Sequence, residues 1–275
     1  MTKLIFATAL LSALAVQATP LELSKREILQ ALPQNADKIE LQYQPYFDWD
    51  TDGCYQTAAI DPSGKLNGGL SMTGTPQGKC RDPVQLENSN TYSRRRCNNG
   101  ICGIVYEYYY EKDQNGLGPG AIGHRHDFEN VVVFVNVKEN RVLRVAASQH
   151  SGYEARDKDF PLDGTHPLMV YHKDGRKLHF YHSKEILTVI ANTHCNRFAN
   201  ADDIKRPENY QGHFFRAPLV GWLGWPNAGL RDKMNNNNWG AATPKTREAS
   251  FAEALKKAGA ANVGLNPNGP DDYLL

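Results

Sequence analysis

Short apolar runs recur through the middle of the chain at the spacing of β-strands. The run from Ile104 to Tyr110 is aromatic and β-branched, and the run from Asn130 to Val137 consists almost entirely of Val and Phe. Turn residues separate successive runs without long helical patterns between them, which predicts an antiparallel β-sandwich or barrel. The predicted strands are 104–110, 130–137, 142–148, 167–172, 177–182 and 186–191, with a hairpin turn at 174–175.

Two segments have the periodicity of short amphipathic helices. Ser24 and Glu27 have the spacing of a capping box, and the apolar stripe after them predicts a helix that ends at Leu32, where a proline follows. A second stripe predicts a helix over 247–258, with Gly259 placed to cap it.

The residues from 44 to 100 are predicted to be mostly loop. They are rich in Gly, Pro, Asn and Asp, which favour turns over regular elements. The basic run Arg94–Arg96 falls within this stretch and is predicted to be solvated. Disulfides are expected to hold this part of the domain, about 44–102, to the rest.

The N-terminal residues are typical of a secretory signal peptide. Lys3 precedes an apolar run that ends at Ala15, and Ala18 completes a small-residue cleavage site. The run is shorter than the roughly 20 apolar residues that a membrane-spanning helix needs. The predicted organisation is a signal peptide over 1–18 and a single domain over 19–275.

Secretion changes the interpretation of the cysteines. The four N-terminal cysteines allow three pairings; Cys97 and Cys102 flank a turn signal, which favours a local bridge and leaves Cys54 with Cys80. The fifth cysteine, Cys195, is expected to be a buried thiol rather than a nucleophile.

The composition narrows the range of partners. The chain has 275 residues, of which 40% are hydrophobic, and this is enough for a domain with a substantial core. Its net charge is only +1, whereas nucleic-acid-binding domains carry a strongly basic surface. We therefore expect no nucleic-acid partner. The protein is also expected to be a monomer in solution.

The densest chemistry lies in one heptapeptide, Gly123-His124-Arg125-His126-Asp127-Phe128-Glu129. Asp127 and Glu129 lead into an apolar strand and are two residues apart, so they are predicted to share a face. Two buried carboxylates repel each other, and a cation would relieve that repulsion. His124 on the adjacent loop and Asp113 across a Gly-rich stretch complete a hard ligand set, which favours Ca²⁺, Mg²⁺ or Mn²⁺ over Zn²⁺.

Two other interpretations of the heptapeptide remain open. His124 and His126 can form a zinc pair with His150 or His194 as third ligand and Glu129 as general base, which would make the protein a secreted metallohydrolase. Alternatively, the segment is an ordinary charged loop in which its arginine pairs with one of its two carboxylates.

The heptapeptide at 123–129 resembles the hallmark sequence of the necrosis- and ethylene-inducing protein-like family, the secreted toxins of plant-associated fungi, oomycetes and bacteria. That family usually has Trp at the position of Phe128, so an aromatic side chain is retained. The resemblance extends over most of the chain after residue 40 through the segments Tyr106–Asp113, His166–Gly175, Leu219–Lys233 and Asn238–Gly240.

The resemblance implies a mainly β fold with peripheral helices, an antiparallel β-sandwich similar to actinoporins. It implies cytolysis of plant cells rather than catalysis. The implied target is a glycosylated inositol phosphorylceramide sphingolipid in the outer leaflet of the plant plasma membrane. The implied cofactor is a divalent cation, Ca or Mg, held by Asp113, His124, Asp127 and Glu129. A non-cytotoxic sugar-binding or immune-pattern member of the same fold is the alternative.

The cysteine pattern resembles the second type of this family, which has an extra disulfide and an added calcium-binding region. A loop with Asp48, Asp50 and Asp52 fits such a region, with Asp61 as an additional candidate ligand. The loop lacks the glutamate and the preceding helix of an EF-hand. The alternative is an acidic turn beside a disulfide.

Overall fold

Two β-sheets dominate the computed structural model, which describes residues 27–118, 121–173, 177–182, 185–190 and 194–272. The strands are β1 (Tyr46–Trp49), β2 (Thr91–Asn98), β3 (Ile101–Asn115), β4 (Ile122–Asn136), β5 (Arg141–Gln149), β6 (Gly152–Arg156), β7 (Leu162–Asp163), β8 (His166–Lys173), β9 (Lys177–His182), β10 (Glu185–Ile190), β11 (His194–Phe198) and β12 (Leu219–Gly221). The helices are α1 (Lys38–Gln42), α2 (Pro83–Glu87), α3 (Ala201–Lys205), α4 (Ala228–Asn236) and α5 (Glu248–Lys257). None of these helices has both the length and the apolar character to cross a bilayer.

The larger sheet has six strands in the order β12-β2-β3-β4-β5-β6. The second sheet has the order β1-β8-β11, with β7 also pairing with β8, and β9 pairs with β10. The pairings are antiparallel except for β1 with β8 and β12 with β2, which are parallel. The expected mainly β fold is confirmed, with these two parallel pairings as a departure from a purely antiparallel sandwich.

The central strands of the larger sheet are buried on both faces. On β3, Tyr106 and Tyr108 face the second sheet and pack in the main core with Trp49. Val105 and Tyr109 face the opposite side, where α4, α5 and the segment around residue 239 cover the sheet. Because both faces are covered, these strands consist of almost uninterrupted apolar residues, which is the pattern that marked them in the sequence.

The predicted strands are confirmed, with ends that differ by one to several residues, and so is the helix over 247–258. Gly259 has the left-handed φ of 96° expected of a helix cap. The turn predicted at 174–175 lies outside the described residues, and β9 pairs with β10, whereas β8 pairs with β1, β7 and β11.

The helix predicted over 24–32 is wrong in its described part, since 27–32 are not helical, and residues 24–26 lie outside the described residues. Leu29 and Leu32 are buried against the domain in an extended segment. Tertiary burial of these side chains outweighs the short capping signal. The predicted signal peptide also lies outside the described residues.

The prediction of loop over 44–100 is wrong in part, because β1, α2 and β2 lie within it. The basic run belongs to β2 and is not solvated. Arg94 lies over the rings of Trp222 and Phe251, 4.0 and 4.4 Å from their centroids. Arg95 forms ion pairs with Asp37 and Asp271, at 2.8 Å each. Aromatic rings and carboxylates distant in sequence therefore let this strand be buried.

The structure confirms both predicted disulfides, Cys54–Cys80 and Cys97–Cys102. The second bridge joins residues that face each other across the β2–β3 ladder. Cys195 is buried, as expected, and its Sγ lies 3.7 Å from Nε2 of His172.

A buried acid in α1 predicts a pH-dependent stability. Glu40 accepts hydrogen bonds from the Ser93 hydroxyl and the Asp37 backbone N–H, both at 3.0 Å. Burial nevertheless raises the pKa of Glu40 from 4.5 to about 7. Between those two pH values the unfolded chain ionises before the folded one, so the free energy of unfolding falls as the pH rises, by up to about 3 kcal/mol.

We expect the Glu40→Gln variant to lose less stability than the wild type between pH 4.5 and pH 7. Urea unfolding at a series of pH values measures this difference. The control is Glu139→Gln, which changes an exposed glutamate paired with Arg141 and should follow the wild-type curve. Parallel curves for Glu40→Gln and the wild type would contradict the assignment.

Candidate functional site

The long β3–β4 hairpin carries the acidic residues of the site. Tyr108 pairs with Glu129 and Tyr110 with Asp127 in its antiparallel ladder. Directly opposite residues of such a ladder point to the same face. Asp127 and Glu129 therefore share the face of the core tyrosines, which confirms the predicted common orientation of the two carboxylates.

A break in the strand brings His124 to the same side. Strict alternation would place His124 and Asp127, three residues apart, on opposite faces. His126 between them has a left-handed φ of 60°, which interrupts the alternation. Asp113 pairs directly with His124, and both line one cavity with Asp127 and Glu129. Asp113 reaches this place as part of β3, and not through a folded-back loop.

The left-handed residue is stabilised from the outer face of the sheet. The Tyr109 hydroxyl lies 2.6 Å from Nδ1 of His126, and the His126 ring meets Trp239 edge-on at 4.9 Å between centroids. Phe128 completes this aromatic cluster against Tyr109 and Trp239. The aromatic position of the heptapeptide is thus a packing residue that supports the strand break.

The cavity measures about 540 Å³. The carboxylates of the hairpin form one end of it, together with Asn130 and Ser148. The other walls come from the β5–β6 turn, from α5 and from the segment that leads into α5. The wall residues with polar side chains are His150, Ser151, Tyr153, Thr243, Lys245, Ser250, Glu253 and Lys257.

Asp127 and Glu129 are buried carboxylates with neutral hydrogen-bond partners. The Tyr171 hydroxyl donates to Asp127 at 3.3 Å, and the Ser148 hydroxyl donates to Glu129. Burial raises the pKa of both groups; the charge of Asp113 adds to the effect on Asp127, and that of Asp127 to the effect on Glu129. Among the described residues neither carboxylate forms an ion pair, so the site favours an added positive charge.

Asp113 has a cationic partner, His194. Nδ1 of His194 lies 2.7 Å from Asp113 Oδ1, and its Nε2 lies 2.9 Å from the carbonyl oxygen of Asp52. Both neighbours are acceptors, so the ring donates from both nitrogens and is an imidazolium. Burial lowers the pKa of His194, but the hydrogen bond and charge of Asp113 outweigh this and raise it. Sequence reasoning considered His194 only as a zinc ligand, because the two residues are 81 positions apart.

The zinc interpretation and the charged-loop interpretation fit this geometry poorly. His126 faces Tyr109 and Trp239 and does not line the cavity. Arg125 is exposed and donates to the carbonyl oxygen of Gly68 at 3.1 Å, and so it does not pair with Asp127 or Glu129.

The three acidic side chains of the candidate calcium loop each have a different partner within the protein. Asp48 accepts from the backbone N–H groups of Glu208 and Asn209, and Asp50 pairs with Arg197 at 3.1 Å. Asp52 approaches His194, with 3.9 Å between Oδ1 and Nε2. This arrangement favours the acidic turn beside a disulfide.

In the part of the chain that the structure describes, no three His, Cys, Asp or Glu side chains converge closely enough to hold a metal ion. The four predicted ligands on the β3–β4 hairpin line one cavity, but their side chains do not surround a common point. Their donor chemistry, with three carboxylates and one imidazole, nevertheless suits a hard divalent cation. Metal binding by these residues stays a prediction.

The facing sheets and the acidic cavity beside the hairpin define a β-sandwich protein with a polar cavity at one end of its long hairpin. The model of the family described as Necrosis inducing protein (NPP1) matches residues 37–258. The chain therefore belongs to the NPP1 family of necrosis-inducing proteins, as the heptapeptide indicated.

Known relatives agree with this assignment. NLP effector protein 3 of Plasmopara viticola is 38% identical over 134 residues, which are 47% of this chain and 56% of the relative. The chain spans between 40% and 56% of the length of the curated relatives it matches.

Solved structures share the fold. Necrosis and Ethylene inducing Protein 2 from the causal agent of cocoa's Witches Broom disease superposes with a TM-score of 0.68 at 27% identity, covering 84% of this chain and 94% of that one. NLPPya in complex with mannosamine superposes with a TM-score of 0.63 at 27% identity, covering 84% and 95%. The likeness to actinoporins stays a prediction.

Proposed function

We propose that the protein is a secreted cytolytic toxin that acts at the outer leaflet of the plant plasma membrane. It binds the sugar head group of glycosylated inositol phosphorylceramide sphingolipids with the help of a divalent cation, and the membrane is then damaged and the tissue becomes necrotic. Membership of the necrosis-inducing family supports the toxic activity. The observation that carries the binding step is the cavity with two buried carboxylates that form no ion pair among the described residues, and whose pKa values burial raises.

The cation, Ca or Mg, is held by Asp113, His124, Asp127 and Glu129. When bound, it offsets the repulsion between the carboxylates and supplies coordination to sugar hydroxyl groups. To coordinate one cation, these four side chains must move closer together than they are in this structure. The hydroxyl groups of Ser148 and Tyr171 orient the carboxylates of Glu129 and Asp127, respectively. Because Asp113 is paired with the imidazolium of His194, the net negative charge of the four-residue site is reduced.

The rest of the cavity suits a saccharide. Its volume falls in the range of small-ligand sites, and its walls combine hydroxyl, amide and charged groups that can orient sugar hydroxyls. The similar protein NLPPya has been solved with an amino sugar, which supports a glycan ligand for this chain.

The protein is proposed to act without catalysis. The hydrolase alternative needs zinc and the pair His124 and His126, but His126 is engaged on the opposite face of the sheet. We expect a stoichiometric metal analysis to find Ca or Mg and no Zn. Bound zinc together with turnover of a glycan or ester would instead support the hydrolase alternative.

Dye leakage from vesicles tests the proposal. Phosphatidylcholine–sterol vesicles that contain glycosylated inositol phosphorylceramide should leak on addition of the protein, and matched vesicles without that lipid should not. A chelator should stop the leakage and excess Ca²⁺ or Mg²⁺ should restore it. Binding of the glycolipid vesicles without leakage would support the non-cytotoxic sugar-binding alternative, and no binding at all would contradict the proposal.

A further inference from the structure

Beside the turn between β3 and β4, Leu117 and Ile122 present apolar side chains to solvent. Residues 116–123 read Gly-Leu-Gly-Pro-Gly-Ala-Ile-Gly, a stretch without a single polar side chain. Exposed turns normally contain Asn, Asp or Ser, whose side chains hydrogen-bond to the local backbone. Leu117 is 65% exposed and Ile122 is 37% exposed, so the apolar character of these two positions is not explained by burial.

The apolar turn continues the hairpin that carries the site. Asp113 pairs with His124, and Asn115 pairs with Ile122 two positions closer to the turn. Leu117 follows Asp113 by four residues, which correspond to roughly 13 Å of extended chain. The cavity thus extends along the β3–β4 hairpin from Glu129 to the pair of Asp113 and His124. The exposed apolar residues lie between that pair and the turn.

The small size of the apolar surface formed by Leu117 and Ile122 favours a lipid bilayer over a protein partner. A stable protein partner requires about 800 Å² on each side, which two apolar side chains at a turn do not provide. Shallow entry into a bilayer needs only a few apolar side chains. Non-helical backbone exposed to lipid is not tolerated in the hydrocarbon interior, so such entry is confined to side chains at the interface.

We propose that the side chains of Leu117 and Ile122 insert into the interfacial region of the bilayer that carries the bound glycolipid. This proposal rests on the proposed function and identifies the element of the chain that enters the membrane. The glycan in the cavity anchors one part of the hairpin, and its apolar end reaches the lipid.

An environment-sensitive fluorophore attached to Leu117→Cys tests the insertion. The native cysteines form disulfides or are buried, so labelling under native conditions reports the new residue. The matched control is Leu223→Cys, which is 66% exposed and follows β12 at the edge of the same sheet. Vesicles of phosphatidylcholine and sterol with glycosylated inositol phosphorylceramide should shift the emission of the label at 117 to the blue, and leave the label at 223 unchanged.

Co-sedimentation with the same vesicles separates the possible failures. If the labelled protein sediments with the vesicles and the label at 117 does not shift, the insertion proposal is overturned and the glycolipid proposal stands. If the wild type does not sediment with them, both proposals are overturned.

A substitution that needs no label provides a second measurement. Leu117→Asp should lower vesicle leakage at least about tenfold, because a leucine side chain gains free energy on leaving water for the bilayer and a carboxylate does not. Leu223→Asp should leave the leakage unchanged. Equal leakage from the two variants would count against insertion at the hairpin end.

Discussion

Replacement of either buried carboxylate, as Asp127→Asn or Glu129→Gln, is expected to abolish vesicle leakage without weakening the fold. Each carboxylate is proposed to bind the cation directly, and the loss of one partner of a buried charged contact costs about 2–5 kcal/mol. Leakage should therefore fall at least about thirtyfold, the ratio that corresponds to about 2 kcal/mol. The amide variants keep the shape of the side chain, so the loss reflects charge.

The stability of these variants distinguishes a functional site from a structural one. Burial and the charge of a neighbouring carboxylate raise the pKa of both groups, which means that their ionised forms oppose folding at neutral pH. The neutral variants should therefore unfold at the same or a higher urea concentration than the wild type in the absence of cation. Urea unfolding at pH 7 measures this free energy.

Added cation supplies the complementary result. A cation concentration of about 100 times the dissociation constant should raise the free energy of unfolding of the wild type by about 2.7 kcal/mol. The two variants should not gain this stability. Asp163→Asn, which changes an exposed acid on β7, is the control and should behave as the wild type. Full leakage from Asp127→Asn and Glu129→Gln would remove the basis of the proposed cation site.

The second large effect is expected from His194→Ala. This change leaves the buried Asp113 carboxylate without its imidazolium, and removal of one partner from a buried ion pair costs about 3–5 kcal/mol. The pKa of His194 is raised in the folded protein, so the pair contributes fully below about pH 6.5 and its contribution fades as the pH rises through the raised value. The stability gap between wild type and variant should be widest at about pH 6 and should narrow in alkaline solution.

A double variant tests the cause of that loss. Adding Asp113→Asn to His194→Ala removes the uncompensated charge and should restore part of the lost stability in urea unfolding. His166→Ala is the control, because His166 is half-buried and contacts the Gln44 carbonyl oxygen rather than a carboxylate. A double variant that is less stable than His194→Ala would show that the ion pair is not the source of the effect.

The fold was predictable where burial and local pattern agree. The runs around β3 and β4 are apolar at every position because both faces of the sheet are covered, so their assignment as strands did not depend on details of packing. The β2 strand was missed because its inward residues include arginines. Contacts with residues distant in sequence, among them the rings of Trp222 and Phe251 and the carboxylates of Asp37 and Asp271, make their burial favourable.

The sequence by itself determined the disulfide pairs, most of the strands and the shared face of Asp127 and Glu129, because these follow from local turn signals and from the two-residue period of a strand. The tertiary structure decided the rest of the site. His124 joins the carboxylates only because Tyr109 and Trp239 hold His126 in a left-handed conformation. Asp113 gains its imidazolium partner only when β11 packs beside the hairpin. Both depend on contacts between distant parts of the chain, and the period of a single strand carries no information about them.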